Sequence, residues 1–168
     1  FKNKGKITDK EVFKHIKSLQ ENNQINHADQ SLAQAINSFE NIVAGYYYYL
    51  SKYEVEQAGL SDQAFIGLPN LESSEITALI MPENKQATDY RNLNVFGLVN
   101  NIPAIATATD YHAFFSNEAD QDAIMRNVSL VRFAKQMLLP SMSLKLAAES
   151  LDREILVELD DFGVRSIE

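Results

Sequence analysis

A chain of 168 residues is the size of one domain and can bury a core without disulfides or a structural metal, so residues 1–168 read as a single domain. Hydrophobic residues make up 45% and charged ones 23%, which excludes wholesale disorder, and a net charge of −8 excludes a broad basic grip on nucleic acid or anionic membrane. With no cysteine there is no disulfide, thiolate nucleophile or Cys-ligated metal, though both cytosolic and bacterial extracytoplasmic domains manage without it.

The chain opens at Phe1, and Phe1–Lys10 holds four lysines without an apolar run, so no signal peptide is expected there. Thr8 with Glu11 forms a capping-box signature, and Val12, Phe13, Ile16 and Leu19 follow at helical spacing. These predict a helix over Asp9–Glu21, ended by the polar cluster Glu21–Asn26. Next, Leu32, Ile36, Phe39, Val43, Tyr46, Leu50 and Tyr53 recur at alternating steps of four and three. That mean period of 3.5 predicts one long amphipathic helix over about residues 28–58. Asn26 or His27 caps its start, Asp29 sits in its first turn, and Gly59 is its C-cap. At 1.5 Å per residue it would run roughly 45 Å.

From Leu60 to His112 the helical signal fades, punctuated by Gly67, Pro69, Pro82, Gly97 and Pro103. The runs Ile76–Met81 and Leu93–Val99 are too brief to classify by period. The uncharged stretch Asn92–Thr109 holds four Asn residues, Gly97 and Pro103, and is too polar for a membrane span. Ser116 or Asn117 then caps a third helix, with Glu118, Asp120 and Asp122 in its first turn. Ile124, Val128, Val131, Ala134 and Leu138 form its inner face, and Pro140 stops it. A last helix, Met142–Leu159, aligns Leu144, Ala148, Leu151, Ile155 and Leu159, and Asp160–Glu168 is a short tail or strand. The expected fold is therefore mainly α, a bundle of about four helices with an irregular middle segment. The alternative is α+β, with a small sheet from residues 75–108 in which Glu75–Met81 and Leu93–Ala108 take part.

The run Tyr46–Tyr49 is the oddest local feature. On a helix, successive residues turn by 100°, so four tyrosines would ring nearly the whole circumference. Tyr46, Tyr49 and Tyr53 fall near the packing seam, whereas Tyr47 and Tyr48 lie off it. One reading is an aromatic collar that binds a partner; the other is a central helix packed on several sides. Gly45, costly inside a helix, fits a close crossing or a kink under either reading.

Signals of chemistry are weak. Glu118, Asp120 and Asp122 imitate the start of a calcium loop, but Ala123 stands where the turn glycine belongs and Ser129 where the bidentate Glu should be. Compensation of the helix dipole is the simpler account. Glu11 and His15 have no second pair to complete a metal site, and Asp110 with His112 does not supply one. There is no G-x-S-x-G turn and no Gly-rich phosphate loop, and 23 acidic residues give a carboxylate pair no discriminating power. No catalytic residue, metal or cofactor is expected.

The sequence thus predicts a non-catalytic helical interaction or assembly domain, using Tyr46, Tyr47, Tyr48, Tyr49 and Tyr53 to bind a protein partner or a second copy, and no nucleic acid. The alternative is a ligand-sensing domain with a pocket between helix 28–58 and segment 92–109, where Phe96, Asn100, Ile105 and His112 are candidate pocket residues. An enzyme using separated carboxylates and His112 comes last, because no geometric role can be assigned. By analogy alone, a basic start beside a long amphipathic helix suits a domain tethered to a membrane upstream of Phe1. On that ground an extracytoplasmic location is favoured.

Overall fold

The structure, a computed structural model, describes residues 27–39, 41–60, 63–116 and 128–168. It overturns the expected helical bundle: the chain is mixed α/β, with nine strands in three sheets among the described residues. In chain order the elements are α1 (His27–Asn37), β1 (Val43–Tyr49), α2 (Lys52–Gln57), β2 (Phe65–Ile66), a 3-10 segment (Leu68–Ser74), β3 (Ala78–Ile80) and a 3-10 turn (Ala87–Asp89). There follow β4 (Gly97–Val99), α3 (Pro103–Ala106), β5 (Tyr111–Phe114), β6 (Val131–Ala134), β7 (Met137–Pro140), α4 (Met142–Leu151), β8 (Leu156–Leu159) and β9 (Val164–Ile167).

The long helix over residues 28–58 is in fact three pieces. Helical structure stops after Asn37, the Tyr46–Tyr49 run lies in β1, and Tyr53 belongs to the separate helix α2. Four aromatic residues in a row favour a pleated strand over a helix, where their χ1 freedom is lost against the preceding turn. Ser51 restarts the helix as a complete capping box: its hydroxyl accepts from Glu54 N–H, and the Glu54 carboxylate accepts from Ser51 N–H. Gly59, at φ +71°, ends it. Its N–H donates to the Glu56 carbonyl at 3.0 Å while Leu60 N–H reaches back to Val55 at 3.0 Å, the two bonds of a Schellman motif.

The other helices are corrected likewise. The expected helix over Asp9–Glu21 and the acidic turn Glu118, Asp120 and Asp122 lie outside the described residues. Val131, Ala134 and Leu138, taken for one helical face, instead form the β6–β7 hairpin, in register Val131 with Pro140 and Ala134 with Met137. Lys135 at φ +60° makes the turn. The last helix ends at Leu151, and Asp152 at φ +51° redirects the chain into β8. The α+β alternative also fails in its pairing, since β3 and β4 both lie within residues 75–108 but join different sheets.

The first sheet has strand order β2-β4-β1-β5, with β1 antiparallel to β4 and parallel to β5. The third has order β3-β8-β9. The hairpin stands between them and divides the interior in two. Ala134 and Leu139 join Tyr46, Tyr48, Leu71, Leu98 and Phe114 in one core, whereas Val131, Phe133 and Leu138 join Ile76, Tyr90, Val157 and Leu159 in the other. Each strand of the hairpin therefore buries both faces. No described helix is long and apolar enough to cross a membrane.

Candidate docking face

Strand geometry sorts the tyrosines by parity. Tyr46 and Tyr48 point into the first core and are 3% exposed, while Tyr47 is 47% exposed on the opposite face and Tyr49 is half-buried. Tyr53, on α2, is largely in solvent. The five residues expected to form one belt thus fall into two classes.

The inner pair is structural. Tyr48 packs edge-on against Phe114 at 5.1 Å between centroids, its N–H donates to Ser116 Oγ at 3.2 Å, and its hydroxyl donates to the Ser116 carbonyl at 3.4 Å. The guanidinium of Arg132, itself buried, lies 5.6 Å over the Tyr48 ring and also donates to the Asn92 carbonyl. Tyr46 meets Phe114 at 6.4 Å, and its hydroxyl has no hydrogen-bond partner. Burial, with the Tyr48 phenol adding to it, pushes the Tyr46 hydroxyl pKa far above its usual range, so this phenol stays neutral and is no acid or base.

The outer side is different. Tyr47 contacts Tyr49 at 5.2 Å and Phe115 at 6.4 Å between centroids. Gly45, the strand position beside them, has no side chain, and the Phe115 ring takes that space: a Cβ there would stand 2.7 Å from Phe115 Cδ1. Next to this ridge opens a cleft of about 550 Å³, lined by Phe115, Val128, Leu130, Met142 and Leu146 over a floor of Phe114, Ser116, Ser141 and Ser143. Phe115, Val128, Leu130 and Leu146 are between 42% and 55% exposed, and none of the nine lining residues can ionise. Ser141 sits at the cleft because it caps α4, its hydroxyl accepting from Leu144 N–H at 3.2 Å.

The four candidate pocket residues do not share a wall. Phe96 is exposed just before β4. Asn100 is buried and committed to the backbone, with its N–H on the Ile66 carbonyl and its Oδ1 accepting from Asn101 N–H. Ile105 lies on α3, and His112 is fully buried in β5. The helix meant to form the opposite wall is divided into α1, β1 and α2. Among the described residues, no group of three or more His, Asp or Glu side chains is arranged to hold a metal.

Sequence reasoning missed Phe115 and Leu146. The available signal was period two: in a strand, Gly45, Tyr47 and Tyr49 share a face, and so do Tyr111 and Ala113 of the partner β5 with Phe115 one residue past its end. No family model matches the chain, and neither does any curated protein or solved structure.

Proposed function

We propose that this chain is a non-catalytic interaction domain that docks a second copy of itself through the face built from Tyr47, Phe115 and Leu146. The observation that carries the reading is the gathering of exposed large apolar side chains around one uncharged cleft. Contiguous apolar surface of this kind marks an interaction site more often than scattered single residues do. On a chain of net charge −8, the nine described residues that line this cleft bring no like charges together when two copies meet there. A two-fold interface needs one patch to meet itself, and the Tyr47–Phe115 ridge beside a recess offers both a projection and a hollow on one face. Tyr47 suits the anchor role, having large amphipathic area and few torsions to freeze.

Sedimentation velocity over a wide concentration series tests the reading. The wild type is expected to associate as concentration rises, and Tyr47→Ser combined with Leu146→Ser is expected to remain monomeric with an unchanged circular dichroism spectrum. A wild type that stays monomeric throughout rejects it. The cleft volume also falls within the range of small-molecule sites, roughly 300–1,000 Å³. If a small apolar ligand occupies it instead, melting temperature rises with ligand concentration and association does not change.

A further inference from the structure

His112 lies in β5 opposite Ala44 of β1, fully buried at 0% exposure. Neither of its ring nitrogens has a hydrogen-bond partner. The backbone at this point is tightly tied. His112 N–H donates to Ser74 Oγ at 2.7 Å, Ser74 Oγ donates to the Asp110 carbonyl at 3.0 Å, and Ser73 Oγ donates to the same carbonyl at 2.6 Å. The strand is thereby pinned to the 3-10 segment Leu68–Ser74 beside a ring that makes no hydrogen bond of its own. A neutral imidazole carries one donor and one acceptor, and the protonated ring carries two donors and a charge. An unpaired buried charge costs far more than an unpaired neutral group.

We infer that His112 is an acid-sensitive latch: a proton taken up by its buried ring on acidification is a charge held away from water, and β5 separates from β1 and from the 3-10 segment Leu68–Ser74.

The surroundings of β5 offer that charge little help. β1 brings the phenols of Tyr46–Tyr49, β7 brings no ionisable group, and the 3-10 segment brings Glu72 in solvent. From α4 come Lys145, 4.8 Å over the Tyr111 ring, and Glu149, paired with Lys145 at 2.8 Å. Burial lowers the His112 pKa below 6.5, against the smaller opposing pulls of the Ala106 and Asp110 carbonyls and the Asp110 carboxylate. Above 6.5 the ring is neutral in both folded and unfolded chains. As pH falls below 6.5 the unfolded chain binds a proton that the folded one refuses, so stability falls until the folded value is passed. In that window one proton raises the unfolding constant by up to about tenfold per pH unit. Phe115, three residues along, carries the loosening to the proposed docking face; that consequence rests on the docking reading, while the latch does not.

Urea denaturation of the whole chain from neutral pH to about pH 5, the range in which free imidazole titrates, reads the effect directly. The slope of the logarithm of the unfolding constant against pH is expected to be steeper in the wild type than in His112→Leu, by up to one proton. Equal slopes overturn the latch. Because the Leu variant can fail to fold, NMR of the wild type supplies a second arm, with the His112 ring assigned by its loss in His112→Gln. That ring is expected to hold its neutral shift until the β5 amides lose protection, and a His112 that titrates at the free-imidazole value with β5 undisturbed also overturns the latch. Sedimentation is not used in either arm, so failure of the docking reading leaves this test intact.

Discussion

β1 and the β6–β7 hairpin are both apolar strand structure, yet they meet solvent in opposite ways. Along β1 burial alternates, with Ala44, Tyr46 and Tyr48 inside and Tyr47 outside. Along β6 nothing alternates: Val131, Arg132, Phe133 and Ala134 are all buried. The pleat is the same in both, so the difference lies in what covers each face. β1 has a core on one side only, whereas the hairpin has one on each. Side-chain direction is a property of the strand, and burial is a property of its neighbours. This explains how Arg132 comes to be buried at the middle of a strand: its position turns it toward the tyrosine core, where Tyr48 and the Asn92 carbonyl receive the guanidinium.

The comparison can be broken most severely at Phe133, which is 0% exposed and stacks on Tyr90 at 6.2 Å. Phe133→Ala is expected to cost about 3–5 kcal/mol in chemical denaturation, the range for a large aromatic truncated within a packed core. A loss under about 1 kcal/mol would mean that the side of the hairpin facing the second core is not a core at all. The tyrosine side is sharpened by Tyr46→Phe. That hydroxyl is buried without a partner, so removing it is expected to stabilise the protein by roughly 1 kcal/mol, the desolvation penalty of an unmade hydrogen bond. Destabilisation in the same urea titration would show that the hydroxyl is hydrogen-bonded.

Local end signals were legible in the sequence. Ser51 with Glu54 takes the capping-box form at the start of α2, and Gly59 takes the left-handed position after it. The strands were not. Four identical residues carry no hydropathy alternation, so the period-two burial of Tyr46–Tyr49 leaves no trace in composition. The 3.5-residue spacing from Leu32 to Tyr53 arose from three successive elements whose apolar positions fell into step. Two signals argued against a continuous helix: Gly45 within it, and Ser51 with Glu54 marking a new helix start. The β6–β7 turn was silent for another reason, since Lys135 and Gln136 occupy a site where Gly or Asn usually announces the left-handed conformation. The proposed docking face was hidden because it joins β1, the end of β5 and α4, positions distant in sequence and brought together by a parallel pairing of β1 with β5.

The smallest effect on stability is the most informative about function. Tyr47 and Tyr48 are adjacent and chemically identical, and they differ only in the face on which they lie. Tyr47 touches Tyr49, Phe115 and the neighbouring Tyr48 ring but is 47% exposed, so Tyr47→Ser is expected to shift stability by no more than about 0.5 kcal/mol while weakening self-association. Tyr48→Ser would empty a buried site under Arg132 and leave that charge without its aromatic support. If urea titration gives the two variants equal losses, the outer face of β1 is as fully covered as the inner one. The cleft beside it could not then be a docking surface.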